Sequence, residues 1–353
     1  MRNVCATLLG VILLGSTVSA AAPKPILIAH RGASGERPEH TLEAYALAIE
    51  QGADFIEPDL VLTRDGVLVA RHENEISGTT DVATRPEFAA RKAVKVIDGE
   101  SVSGWFTEDF TLSELKTLRA RERIALLRPG NAAFDGRFTI PTFDEVLELL
   151  RRHKKKSGRR IGVYPETKHP SYFASVGLPH TAPLLAALER HGYRAAKDPV
   201  FIQSFEVGNL IEIGRQSPFR LIQLMSADGG PFDKKDEGLR YADMLTPAAL
   251  KNIARYADGI GIEKALVIGR TADGSLGTPT GLPVKAAAAG LDVHIWTFRA
   301  ENYFLPADLR SSERPDVHGD LAAEIRAFVA AGVDGIFSDN VAQARAALDR
   351  DHK

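Results

Sequence analysis

Thr41-Leu42-Glu43-Ala44-Tyr45-Ala46-Leu47-Ala48-Ile49-Glu50-Gln51-Gly52 followed by Ala53-Asp54-Phe55-Ile56-Glu57-Pro58-Asp59-Leu60-Val61-Leu62 decides the fold. The first half reads as an amphipathic helix over 41–51, ended by Gly52 where a left-handed cap favours glycine. The second half, 54–62, is a short apolar run of strand-forming residues. A helix that feeds at once into a strand is part of a βα repeat, and the rest of the chain repeats it. Further strand-like runs fall at 26–29, 67–71, 161–165, 200–204, 221–225, 257–262, 292–297 and 335–338. Helical runs fall at 112–120, 142–153, 182–191, 247–256, 284–289 and 320–331, and Gly192, Gly290 and Gly332 follow three of them. Thr63-Arg64-Asp65-Gly66 joins runs 54–62 and 67–71 as a tight turn, so that pair is expected to be a hairpin. The remaining alternation predicts an α/β fold, a distorted TIM-type (β/α)8 barrel with loop insertions near 76–107, 226–246 and 300–319. The basic run 153–160 reads as a solvated loop.

The 353 residues are 44% hydrophobic and 25% charged, an ordinary globular balance. A formal charge of −2, with both signs mixed along the chain, lacks the basic excess of a nucleic-acid binder. Residues 1–22 read as an export signal: Arg2, an apolar stretch over 4–18 interrupted by Gly10 and Gly15, and Val18-Ser19-Ala20 at the cleavage point. Cleavage would leave a domain over 23–353 in the periplasm or outside the cell, without stable insertion in a membrane. The one cysteine, Cys5, lies inside that leader. Any metal in the remainder must then be held by oxygen or imidazole.

Polar residues collect at the ends of the strand-like runs, where α/β barrels build their sites. The first run ends in His30-Arg31-Gly32, a candidate acid or base beside a fixed cation. Glu57 and Asp59 stand two apart on one strand and share a face. The hairpin is expected to set Asp59 opposite His72, and a half-exposed strand would show the same alternation. Glu166 and Lys168 repeat the spacing at 164–168, where a salt bridge is the plainer reading. Three carboxylates, Glu57, Asp59 and Glu166, suit a hard divalent cation with oxygen ligands, Ca²⁺ or Mg²⁺. Arg31 and Lys168 would add positive charge for a phosphoryl group, and His30 with His72 an acid and a base. Gln203, Phe205, Gln223 and Trp296 offer polar contacts and aromatic faces for a substrate, although such aromatics commonly serve as core.

The chain resembles the glycerophosphodiester phosphodiesterases, in particular their periplasmic bacterial members. The resemblance runs through His30-Arg31-Gly32-Ala33-Ser34-Gly35, Pro38-Glu39-His40-Thr41, 52–60, His72 and Gly78-Thr79-Thr80-Asp81-Val82. It continues through Ile140-Pro141-Thr142-Phe143, Pro165-Glu166-Thr167-Lys168, Gln203-Ser204-Phe205, 256–261, 293–299 and 332–339. It implies a barrel with His30 and His72 as general acid and base, a Ca²⁺ or Mg²⁺ site at Glu57, Asp59 and Glu166, and phosphate contacts from Arg31 and Lys168. The implied reaction is attack of the glycerol 2-hydroxyl on phosphorus, then opening of a cyclic phosphate to sn-glycerol 3-phosphate and an alcohol. Glu73 stands where the family often has Asp, and Gly78 where it often has Arg, which leaves the alcohol preference open. Two other readings fit parts of the pattern. A phospholipase D-like hydrolase of lysolipids would need an apolar rim, and a periplasmic solute-binding protein would need two lobes.

Overall fold

Eight parallel strands close into a barrel in the computed structural model, which describes residues 24–350. The expected leader at 1–22 lies outside the described residues. In chain order the strands are β1 (Ile26–His30), β2 (Phe55–Glu57 and Asp59–Leu62), β3 (Gly162–Val163 and Glu166–Thr167) and β4 (Phe201–Ser204). They continue with β5 (Arg220–Met225), β6 (Gly259–Glu263), β7 (Asp292–Phe298) and β8 (Gly335–Ser338). Pro58 and Pro165 lack the N–H that a continuous ladder needs, and each lies in the gap that divides its strand. The ring closes across these breaks. Ile56 pairs Val163, Asp59 pairs Glu166, Glu166 pairs Gln203, and β1 pairs both β2 and β8.

A helix follows each strand: α1 (Leu42–Glu50), α2 (Phe143–Ser157), α3 (Thr181–Arg190), α4 (Val207–Gln216), α5 (Pro247–Ile253), α6 (Leu282–Ala287), α7 (Leu321–Ala330) and α8 (Val341–Arg350). Their starts are written in the sequence. Thr41 accepts the Ala44 N–H, and Thr142 with Glu145 forms a capping box. The glycines expected as caps, Gly52, Gly192, Gly290 and Gly332, all have positive φ.

At the amino-terminal rim one device recurs. Asp54, Asp258 and Asp334 each accept the backbone N–H of a neighbouring strand's early residue, Leu27, Leu221 and Val293, at 2.8–2.9 Å. A carboxylate with a backbone donor pins strand register where no helix dipole helps. Above this rim, Ile28, Phe55, Tyr164, Phe201, Ile222 and Phe337 fill the lumen. Tyr164 stacks on Phe201 at 5.0 Å and meets Phe337 edge-on at 5.1 Å, while its hydroxyl pairs with His294 Nδ1 at 2.8 Å. The carboxyl-terminal mouth therefore has a solid aromatic floor.

Several expectations change. The run 54–62 leads into an antiparallel return strand, Leu68–Ala70, but Leu60 faces Ala70, so Arg71 lies opposite Asp59 and His72 does not. Arg71 is fully buried there and donates to the carbonyls of Glu39, His40 and Thr79. The helix expected over 112–120 stops at Leu115, because Ala120 bridges Thr80 in extended form. The basic run 153–160 is mostly helix: α2 continues to Ser157 and ends at Gly158 with φ 75°. Its Lys154, Lys155 and Lys156 lie in the last turn, where the helix dipole favours cations. Of the eight barrel helices, α4 and α8 fall outside the expected helical runs.

Candidate active site

The expected site residues arrive at the mouth from five barrel strands and one loop. His30 ends β1 and Arg31 follows it; Glu57 and Asp59 flank the Pro58 break; Glu166 and Lys168 come from β3, Gln203 and Phe205 from β4, and Trp296 from β7. His72 enters from the loop after the return strand. All of these except Asp59 line one cavity of about 250 Å³, and Asp59 sits behind it against Glu57 and Glu166. Gln223, by contrast, is core. It is fully buried, donates to the carbonyls of Phe205 and Leu224, and accepts from the Tyr256 hydroxyl.

The start of the site is tightly folded. Arg31 has φ 61° and Gly32 φ 88°, and a Cβ on Gly32 would meet the backbone of Ala44 in α1 at 2.7 Å. Arg31 is held in its left-handed conformation from both sides. Its N–H donates to Glu57 Oε2 at 2.8 Å, and its carbonyl accepts the His40 N–H at 3.0 Å. The guanidinium then reaches Glu39 at 3.1 Å and Asp59 at 3.4 Å.

Glu57, Asp59 and Glu166 place one oxygen each within 4.8 Å of one another, and all three are buried. Burial, with Asp59 and Glu166 close by, pushes the Glu57 carboxyl well above its usual range. Glu166 is pushed up to about 8, by burial and by Asp59. Asp59 goes the other way: burial opposes its charge, yet Lys168, His40 and His72 hold it well below the ordinary value. Like charges at this spacing resist ionising together unless a cation joins them. One observation favours a metal directly: Asp59 Oδ1 is buried with no hydrogen-bond partner, although its other oxygen takes His40 at 2.9 Å. The donor set is all oxygen, and the residues fit a hard divalent cation.

Both histidines are backed by carboxylates. His30 Nδ1 lies 2.6 Å from Asp339, and His72 Nδ1 lies 2.5 Å from Glu73. An ionised carboxylate accepts, so each Nδ1 donates and each Nε2 is left as a lone pair. Burial and the Arg31 charge lower His30 to about 4; burial, Arg31 and Lys168 lower His72 to about 3. Lys168 Nζ donates to Glu166 at 2.7 Å and lies 3.4 Å from His72 Nε2. Gln203 Nε2 donates to Glu57 at 3.1 Å, and its Oε1 has no partner. Phe205 meets Trp296 edge-on at 6.1 Å, and Trp296 Nε1 is likewise unpartnered.

Sequence reading passed over the residues behind the histidines. Asp339 directly follows β8 and gathers His30, Arg128 at 2.7 Å and Arg299 at 2.9 Å. The strand-end rule that found His30 would have found it too. Arg128, which also takes Glu301 at 2.5 Å, comes from a long irregular connection without any pattern to mark it. Arg123 bridges Glu39 and Glu73, each at 2.7 Å, and so ties the backing of His72 to the partner of Arg31.

Hydrolysis of a phosphoryl ester is chemistry that this barrel mouth can serve, since a buried carboxylate cluster that fits a divalent cation lies beside two carboxylate-backed histidines and two cationic side chains. The model of the glycerophosphoryl diester phosphodiesterase family matches residues 30–343, and the chain belongs to that family as a glycerophosphodiester phosphodiesterase. It is 35% identical over 328 residues to glycerophosphodiester phosphodiesterase GDPD6 of Arabidopsis thaliana, covering 90% of this chain and 84% of the relative. Against the glycerophosphodiester phosphodiesterase of Haemophilus influenzae the identity is 32% over 300 residues, covering 78% and 79%. Its fold is similar to that of an Oleispira antarctica phosphodiesterase solved with the product sn-glycerol-3-phosphate, with a TM-score of 0.61 at 21% identity over 92% of this chain and 97% of that one.

Proposed function

We propose that the chain hydrolyses glycerophosphodiesters to an alcohol and sn-glycerol 3-phosphate by acid–base catalysis at His30 and His72. The observation that carries this reading is the convergence of both histidines, Arg31 and Lys168 on one cavity beside the three carboxylates. Glu57, Asp59 and Glu166 would hold Ca²⁺, with Mg²⁺ as the alternative, and that ion would supply positive charge against the phosphoryl oxygens. Arg31 and Lys168 add to it and orient the anion. Arg31 depresses both histidines and Lys168 depresses His72 as well, so a bound phosphate that offsets these charges lets one histidine take up a proton. One imidazole then accepts the proton of the glycerol 2-hydroxyl as its oxygen bonds to phosphorus. The other gives its proton to the departing alcohol oxygen, and the phosphorus–alcohol bond breaks. In the second step the imidazole that gave its proton away accepts one from an attacking water, and the other returns its proton to the glycerol 2-oxygen as the bond from phosphorus to that oxygen breaks, which releases sn-glycerol 3-phosphate. Asp339 and Glu73 keep the imidazoles oriented, and the free groups of Gln203 and Trp296 are placed to bond substrate hydroxyls. Phe205 gives that substrate an apolar wall.

An ethyl phosphodiester lacking the 2-hydroxyl tests this path. It should resist cleavage, whereas turnover comparable to that of glycerophosphocholine would mean that water attacks phosphorus directly.

The place of action follows from the leader and is proposed to be the periplasm or the exterior. No helix among the described residues is long and apolar enough to cross a membrane. Intact mass of exported protein should give an N-terminus between Ala21 and Lys24; a mass that keeps Met1 to Ala20 would mean an anchor. The single closed barrel lacks the two lobes that a solute-binding protein requires.

A further inference from the structure

His40 takes no part in the chemistry above, yet it is fully buried and all of its polar groups are engaged. Its backbone has φ 55°; the N–H donates to the Arg31 carbonyl at 3.0 Å, and the carbonyl accepts from Arg71 at 3.1 Å. The ring joins β2 to α1. Its Nε2 lies 2.9 Å from Asp59 Oδ2, and its Nδ1 lies 2.7 Å from the hydroxyl of Tyr45. Tyr45 is fully buried too, and among the described residues this ring nitrogen is the only hydrogen-bond partner of its hydroxyl. An ionised carboxylate accepts only, so in the neutral ring Nε2 carries the proton and Nδ1 accepts from the tyrosine. The hydroxyl thus holds the ring in the tautomer that donates to Asp59. Neither His40 nor Tyr45 lines the cavity, so neither touches substrate.

We propose that His40, held in one tautomer by Tyr45, is the positioning residue of the cation site: it engages Asp59 Oδ2 and leaves Oδ1 to the metal. Asp59 Oδ1 is buried without a partner, while Oδ2 is taken. Glu57 and Glu166 repel Asp59 at their spacing, so this carboxylate needs a fixed donor to stay among them. Arg31 Nε is 3.4 Å from the same Oδ2 and has no hydrogen-bond partner, so a carboxylate released by His40 has a rival cation beside it. Outer hydrogen bonds of this kind are worth about 10- to 100-fold in metal affinity. The inference rests on the cation reading above and adds to it a residue outside the ligand set.

Calorimetric Ca²⁺ titration of wild type, His40→Leu and His40→Gln tests it. Leucine fills the space without a donor, and Ca²⁺ affinity should fall by about 10- to 100-fold. Glutamine carries an amide NH2 to the place of Nε2, and its affinity should return to within about threefold of wild type. The two variants should melt alike in chelator, so that the difference between them lies in the metal and not in the fold. If His40→Leu fails to fold, Tyr45→Phe decides: it keeps the ring but releases its tautomer, and should lose Ca²⁺ affinity by about threefold or more. Folded His40→Leu with wild-type affinity, an equal loss in both His40 variants, or wild-type affinity in Tyr45→Phe overturns the proposal. Wild type that binds neither Ca²⁺ nor Mg²⁺ overturns the cation reading, and this proposal with it.

Discussion

His30→Ala and His72→Ala should each lower kcat for glycerophosphocholine by roughly 10² to 10⁴, with circular dichroism unchanged. The two should part company on a nitrophenyl diester. Nitrophenolate departs without a proton, so loss of the acid is largely forgiven there, whereas loss of the base is not. One variant should therefore recover most of its rate on the activated substrate and the other should stay slow. Asp339→Asn gives a third profile. It keeps the shape behind His30 but removes the charge and leaves one acceptor oxygen for three donors, His30 Nδ1 at 2.6 Å and the guanidinium groups of Arg128 and Arg299. The amide NH2 is turned toward Nδ1 when the arginines claim that oxygen. Its rate loss should resemble that of His30→Ala in substrate dependence and be smaller in size. Near wild-type turnover of glycerophosphocholine in either alanine variant would remove that histidine from the chemistry.

Glu57→Gln should cost the protein most of its affinity for Ca²⁺, and activity should fall by more than about 10² at a fixed metal concentration. Without metal the fold should tolerate the change. The Glu57 carboxyl is pushed far toward its neutral form by burial and by Asp59 and Glu166, and glutamine resembles that form. Thermal unfolding in chelator should thus be close to wild type, while the rise in melting temperature on adding Ca²⁺ should shrink sharply. Calorimetric titration checks the affinity itself. Full Ca²⁺ affinity in Glu57→Gln would mean that this carboxylate is not a ligand.

The barrel was legible because each strand and most helices carry local signals. Gly52, Gly192, Gly290 and Gly332 end helices as expected, and period-two spacing put Glu57 and Asp59 together at the mouth. What was missed lacks such a signal or takes it from afar. The α4 helix starts directly behind β4 without a capping residue of its own, because Asp233 accepts the Val207 and Gly208 N–H groups from another loop. The misplaced pairing of Asp59 with His72 came from the turn. Leu60 faces Ala70, a one-residue difference that moves every side chain to the opposite face, and His72 reaches the cavity only because the chain leaves the ladder after Ala70. For the site, residue types at strand ends identified the groups that face the cavity. The charges behind them, Arg128 on Asp339 and Arg123 on Glu73, join segments up to 211 residues apart and follow only from the closed ring.

The central claim is that one centre, built on Glu57, Asp59 and Glu166 beside His30 and His72, turns a glycerophosphodiester into sn-glycerol 3-phosphate. Hydrolysis of glycerophosphocholine with and without chelator, coupled to enzymatic detection of glycerol 3-phosphate, tests it most directly. Glycerol 3-phosphate should appear with choline in equal amounts, stop on exhaustive chelation and resume when Ca²⁺ or Mg²⁺ is restored. Undiminished turnover after chelation, or release of phosphocholine and glycerol in its place, would contradict it.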